Sequence, residues 1–235
     1  MSATAIQADG PLAAYRARLS AGELTTDPAQ AIAAERLQLL WARLRGYDPA
    51  PQHPPGLLTR FLGRKRRDDI PDHFPHGLYL VGDVGRGKSM LMDIFHEAAD
   101  VPRKRRVHFH AFMQEVHKRI YDWRRTPERL ADPGSDDPIP PLADAIAADA
   151  ALLCFDEFQV GDIADATILG RLFRALFARG VVMVATSNTR PDDLFAGQPG
   201  RDAFLPAIGV LKAHLDVLVL DGARDWRRQR LRGLR

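Results

Sequence analysis

Between Gly82 and Ser89 the chain reads Gly-Asp-Val-Gly-Arg-Gly-Lys-Ser, which satisfies G-x-x-x-x-G-K-[ST] at every position. Such a loop works only between a strand and a helix, and the flanks supply both. Leu78-Tyr79-Leu80-Val81 is a short apolar, β-prone run, and Met90-Leu91-Met92 with Ile94-Phe95 continues at helical spacing without Gly or Pro. A chain carrying this unit must place a parallel sheet behind the loop. Each residue type has a mechanical reason to be there. Gly82, Gly85 and Gly87 permit backbone angles that let successive amides turn inward on phosphate oxygens, aided by the positive end of the next helix. Asp83, Val84 and Arg86 fill the variable positions of the same nucleotide-binding loop. Lys88 reaches the β- and γ-phosphates, and Ser89 offers its hydroxyl to Mg²⁺. A glycine turn that merely precedes a lysine is the competing reading, and the strand and helix on either side argue against it.

A length of 235 residues suits one sizeable core or one α/β domain with a small appendage. Hydrophobic content of 46% with 27% charged residues excludes a disordered or fibrous chain. No apolar run approaches the roughly 18 residues of a membrane span, and Met1 to Gly10 lacks the basic start and apolar core of a secretion signal. The single cysteine, Cys154, cannot form an internal disulfide, so an intracellular, cytoplasmic protein is expected. A net charge of +3 does not demand a nucleic-acid partner. The runs Arg64-Lys65-Arg66-Arg67 and Arg103-Lys104-Arg105-Arg106 and the arginine-rich end from Arg224 read as solvated stretches, with contact to phosphates as the alternative. They lack interleaved aromatics for base stacking, so a nucleic-acid partner is not expected.

Along the chain, residues 1–46 form an N-terminal helical segment. Leu12, Tyr15 and Leu19 recur at helical spacing, Gly22 interrupts them, and Asp27-Pro28 starts a second helix as N-cap and first-turn proline. Its stripe of Ile32, Leu37, Leu40, Trp41 and Leu44 must pack on the nucleotide domain. Residues 47–76 read as a linker rich in proline and charge, 77–222 as the nucleotide-binding core, and 223–235 as a basic tail. In the core, strands are expected at Leu78–Val81, Arg106–His110, Ala151–Phe155, Val181–Ala185 and Val217–Leu220, with helices between them. The fold class is therefore α/β, doubly wound, with a five-stranded parallel sheet flanked by helices.

The third strand ends Phe155-Asp156-Glu157-Phe158. Four or five apolar residues followed by Asp-Glu form the second half of a P-loop nucleotidase, with Asp156 placed to hold Mg²⁺ and Glu157 to activate the attacking water. An acid pair after a strand can also cap a helix, but a complete phosphate loop upstream favours the catalytic role. The fourth strand leads to Thr186-Ser187-Asn188. A strand inserted between the loop strand and the acid strand matches the AAA+ (ASCE) branch of these ATPases, in which Asn188 helps place the water. Capping of the turn into Pro191 is its other reading. Gln198-Pro199-Gly200-Arg201-Asp202 resembles the segment carrying an arginine finger in AAA+ rings, where Arg201 completes a neighbouring subunit's site; a surface arginine in a loop is the alternative.

Taken together, GLYLVGDVGRGKSMLMDIFH, RVHFHAFMQEVH, LLCFDEFQVGDIADATILGRLF and VVMVATSN resemble the ZapE cell-division ATPases of bacteria and their mitochondrial Afg-type relatives, over roughly Pro11 to Leu220. The resemblance implies an AAA+-like, Mg²⁺-dependent ATPase with ATP as nucleotide, working on a protein partner as a ring or transient homo-oligomer. The bacterial members act on the FtsZ division ring and the mitochondrial ones are linked to turnover of respiratory-chain subunits, so recruitment to the division site or to a membrane-associated protein is implied. Gly82 to Ser89, Asp156, Glu157, Asn188 and Arg201 match family positions. His108, His110 and His117 match too, but no Cys or acidic cluster joins them, so structural histidines are expected rather than a metal site. Family members continue past an Asp-Tyr-Arg-like segment, represented here by Asp225-Trp226-Arg227, and the resemblance implies that the family's C-terminal region is missing. A non-hydrolysing ATP-binding recruitment module and a nucleic-acid-stimulated ATPase are the competing functions.

Overall fold

The computed structural model describes residues 3–49, 73–126 and 137–220, so the basic run at 64–67 and the arginine-rich end lie outside the described residues. Five strands, β1 (Gly77–Val81), β2 (Lys104–His108), β3 (Leu152–Asp156), β4 (Val182–Ser187) and β5 (Leu215–Val219), form one sheet in the order β2-β3-β4-β1-β5. Every pairing is parallel. The strand following the acid pair is thus inserted between the acid strand and the loop strand, as the sequence predicts. The helices are α1 (Ala3–Ser20), α2 (Pro28–Arg43), α3 (Lys88–Ala98), α4 (Phe109–Trp123), α5 (Ile139–Asp149), α6 (Ile163–Ala178) and α7 (Arg201–His214).

Burial explains why the middle strands read as continuous apolar runs: β1, β3 and β4 are buried along their whole length, with a helical layer on each face. Successive side chains alternate between two cores. Tyr79, Leu153, Phe155, Met183 and Ala185 face α4, α5, α6 and α7. Leu78, Leu80, Leu152, Cys154, Val182 and Val184 face α1, α2 and α3. Cys154 is wholly buried in that second core, and burial pushes its thiol up to about 12, so the sulfur serves as neutral packing.

The N-terminal helices belong to this core. Asp27 caps α2 by accepting the amides of Ala29 and Gln30. The helix then buries Leu37, Leu40 and Trp41, with Leu44 buried just beyond it. The Trp41 indole donates to the Ala98 carbonyl at 2.8 Å, joining α2 to the end of α3. In α1, Gly10 adopts φ 79° and Pro11 restarts the helix after the kink. Residues at the start of the expected linker also pack: Tyr47 Oη donates to the Gly180 carbonyl at 2.7 Å, and Asp48 pairs with Arg103.

Two strand expectations shift. β5 runs from Leu215 to Val219, starting two residues before the expected Val217 because Leu215 and Asp216 already pair with Gly77 and Leu78. β2 begins at Lys104 and ends at His108, two residues earlier than the sequence suggests, because Lys104 and Arg105 pair with Leu152 and Leu153 while Phe109 joins the apolar stripe of α4 with Phe112, Met113, Val116 and Ile120. His110 is therefore helical and does not share a strand face with His108. Charge on β2 also suits its place at the sheet edge, where lysine and arginine oppose pairing with another chain.

Candidate nucleotide site

The expected site residues from β1, β3 and β4 sit at the C-terminal edge of the sheet, where ligands bind in open parallel sheets. β1 delivers Gly82, whose amide donates to the Ser187 carbonyl at 3.2 Å, so the phosphate loop starts against the tip of β4. Gly85 and Gly87 both lie in the left-handed region, at φ 80° and 81°, which is why glycine is required there. Gly87 is the N-cap of α3 and no side chain caps that end, so the first-turn amides are left for a ligand. Asp83, Val84, Gly85 and Ser89 are exposed, and Val84 is 84% exposed.

Lys88 brings the parts together. Its ammonium uses three donors: to the carbonyls of Gly82 at 2.6 Å and Asp83 at 2.8 Å, and to Asn188 Oδ1 at 2.8 Å. Loop and fourth strand thus meet at one cation. Burial lowers the pKa of Lys88, and the charges of Asp83 and Glu157 partly oppose that shift.

The acid pair divides as its placement requires. Asp156, the last residue of β3, is 8% exposed. Glu157 turns its carboxylate outward, 82% exposed, with His108 Nδ1 at 4.0 Å. Glu157 adopts φ 56°, an uncommon conformation for a non-glycine residue and a strained one, and β4 holds it. Its amide donates to Thr186 Oγ1 at 3.2 Å, the Phe158 amide donates to the Thr186 carbonyl at 2.7 Å, and Ser187 Oγ donates to the Phe158 carbonyl at 2.6 Å. Thr186 and Ser187, each 2% exposed, therefore set the direction of Glu157, a function the sequence reading missed.

A second missed residue is Arg106. Its guanidinium donates to both oxygens of Asp156, at 2.7 and 3.2 Å, and to Asp93 on α3. Burial opposes its charge, but the hydrogen bonds and charges of Asp156 and Asp93 outweigh that and raise its pKa. The rest of the run is equally committed: Arg103 to Asp48, Lys104 to the carbonyls of His96 and Ala99, and Arg105 to Glu115. What reads as a solvated basic stretch is a paired edge strand.

Arg201 opens α7 after Gly200 at φ 83° and donates to the carbonyls of Leu194, at 2.8 Å, and Asp192. The structure does not join it to Lys88, Asn188 or Glu157 within the chain. His117 pairs with Asp165 at 2.6 Å, and among the described residues no cluster of three His, Cys, Asp or Glu forms a metal site. A hydroxyl at Ser89 and a carboxylate at Asp156 are hard oxygen donors, and a site with one carboxylate and phosphate oxygens fits Mg²⁺ better than a site that needs an all-protein cage.

Comparison with known proteins places the chain in a family. The model of the AFG1-like ATPase family matches residues 10–235. Cell division protein ZapE of Escherichia coli K12 is 41% identical over 225 residues, covering 94% of this chain and 57% of that protein. Lactation elevated protein 1 homolog B of Danio rerio is 47% identical over 170 residues, covering 72% of this chain and 34% of that protein. The chain thus spans little more than half of the first relative and about a third of the second. Among solved structures, DnaI superposes with a TM-score of 0.52 at 14% identity, covering 84% of this chain and 88% of that one. AMPPCP-bound DnaA from Aquifex aeolicus gives 0.51 at 14% identity, covering 89% and 53%. These likenesses show the fold alone, a parallel sheet flanked by helices. A family model matched across almost the whole sequence, on a sheet that brings phosphate loop, acid pair and fourth-strand asparagine to one edge, makes this chain a member of the AFG1-like ATPase family.

Proposed function

We propose that the chain hydrolyses ATP to ADP and phosphate in a Mg²⁺-dependent reaction and couples the cycle to remodelling a protein partner. The observation that carries this reading is the contact of Lys88 Nζ with Asn188 Oδ1 at 2.8 Å, which unites the phosphate loop with the inserted strand. Phosphate oxygens are charged acceptors and draw Lys88 from the neutral carbonyls and amide it now serves. That movement releases Asn188 to orient a water. Glu157, exposed and held through its amide by Thr186, takes the proton as the water attacks. Ser89 and Asp156 would hold Mg²⁺, whose charge would offset that of the phosphates.

In this reading Arg201 serves a neighbouring copy in a homo-oligomer, after leaving the carbonyls of Asp192 and Leu194. The bacterial relative, a cell division protein, supports a division-site partner, FtsZ being the one the resemblance implies, and a cytoplasmic location with recruitment to that site. Among the described residues no helix is long and apolar enough to cross a membrane. One observation favours binding without turnover: both oxygens of Asp156 are engaged by Arg106. The internal pairing of Arg103 to Arg106 gives no support to a nucleic-acid-stimulated enzyme.

Phosphate release from ATP by the purified chain, with magnesium and with excess EDTA, decides between turnover and recruitment. Magnesium-dependent release is expected. Saturable binding of an ATP analogue with no release in either condition would replace the ATPase with the recruitment module. In the same assay, Arg201→Ala mixed with Lys88→Ala should recover activity that neither has alone; no recovery at any ratio removes Arg201 from the neighbour's site.

A further inference from the structure

Arg106 lies between two carboxylates that come from different elements. From β2 it grips Asp156 at the end of β3 with two nitrogens, and with the third it reaches Asp93 on α3, the helix that the phosphate loop feeds. Asp156 has an 11% exposed side chain, whereas that of Asp93 is 46% exposed. One cation therefore serves two anions, and the cluster keeps an excess negative charge beside the candidate Mg²⁺ ligand. A carboxylate that must present an oxygen to a metal already accepts a guanidinium hydrogen bond on each oxygen, while the same guanidinium also holds a second carboxylate.

We propose that Arg106 is a positioning residue that holds the Asp156 carboxylate and yields it to magnesium nucleotide, with Asp93 retaining the guanidinium during the exchange. The proposal rests on the ATP reading of the site. Its physical content is competition: Arg106 and a divalent cation claim the same hard oxygens, and Asp93 sets how strongly Arg106 competes. Removing Arg106 leaves Asp156 nearly buried without a counter-charge, which raises its demand for a metal. Removing the charge of Asp93 leaves Arg106 with Asp156 as its remaining carboxylate partner, which strengthens the competitor. The two substitutions therefore act in opposite directions. A purely structural role for the trio would weaken binding in both.

The test titrates magnesium at a fixed concentration of a fluorescent, non-hydrolysable ATP analogue and reads the midpoint of bound fluorescence. Arg106→Gln should lower the magnesium midpoint and Asp93→Asn should raise it, each by roughly tenfold, the lower end of outer-shell effects on metal affinity. Melting in EDTA gives a readout independent of nucleotide. Arg106→Gln should lower the midpoint by on the order of 5 °C, and Asp156→Asn added to it should recover most of the loss. Midpoints that move together, or not at all, in chains that bind the analogue overturn the exchange. A parent chain that binds no nucleotide overturns the ATP reading, and with it the exchange; the EDTA melts then judge the pairing alone, which fails if Arg106→Gln melts like the parent.

Discussion

Replacing Glu157 with Gln should lower phosphate release roughly 1000-fold while leaving ATP-analogue affinity within about twofold of the parent, because general-base assistance contributes on the order of 100- to 10,000-fold. The substitution keeps the size of the side chain and removes its basicity. The backbone should not respond, since φ 56° at this position is held by the Glu157 amide on Thr186 Oγ1 and by the Phe158 and Ser187 contacts, none of which uses the Glu157 side chain. With its carboxylate 82% exposed, the change should also leave the melting temperature near that of the parent. Single-turnover phosphate release and equilibrium binding, measured on the same samples, separate the two quantities. Equal losses in binding and release would show that Glu157 supports the loop instead of the chemistry.

Lys88→Ala is expected to weaken ATP-analogue binding by on the order of 100-fold or more, the scale of removing one preorganised charge-stabilising donor from a site that converges on phosphate. This lysine joins Gly82, Asp83 and Asn188 through one ammonium, so the substitution also disconnects the loop from the tip of β4. Lys88→Arg should restore little, because a planar guanidinium cannot direct three donors at the same compact set of acceptors. Fluorescence titration with the analogue gives the affinity directly. Binding by Lys88→Ala as tight as by the parent would place the nucleotide somewhere other than this loop.

Much of this site is legible in the sequence because its chemistry demands particular residue types in contiguous positions. Gly82 to Ser89 carries its own glycines, cation and hydroxyl, and the apolar run before Asp156 and Glu157 marks a buried strand. Asn188 is legible because polar residues follow a fourth apolar run, and the strand order then puts it beside Lys88. What escaped depends on partners far away in the chain. Arg106 meets Asp93 13 residues away and Asp156 50 residues away, and a charged run looks the same whether it is solvated or paired. The same ambiguity displaced β2, since Lys104-Arg105-Arg106 does not alternate as a half-buried strand should, and the sheet partner Leu152-Leu153-Cys154 decides the boundary. Thr186 and Ser187 read as ordinary strand-end residues until the parallel register sets them against Glu157 and Phe158. The bracing of the loop by α2 was equally hidden: Gln30 donates to the Arg86 carbonyl at 3.3 Å and Asp27 faces the Arg86 guanidinium at 3.5 Å.

We propose that nucleotide is held at this loop and that Lys88 leaves the tip of β4 to hold it. A crystal structure of the chain with magnesium and a non-hydrolysable ATP analogue tests it most directly. The expected result is β- and γ-phosphates on the loop amides between Gly85 and Ser89, with Lys88 Nζ withdrawn from Asn188 Oδ1 onto a phosphate oxygen. Analogue bound at another surface, or phosphates on the loop with Lys88 still 2.8 Å from Asn188, would contradict it.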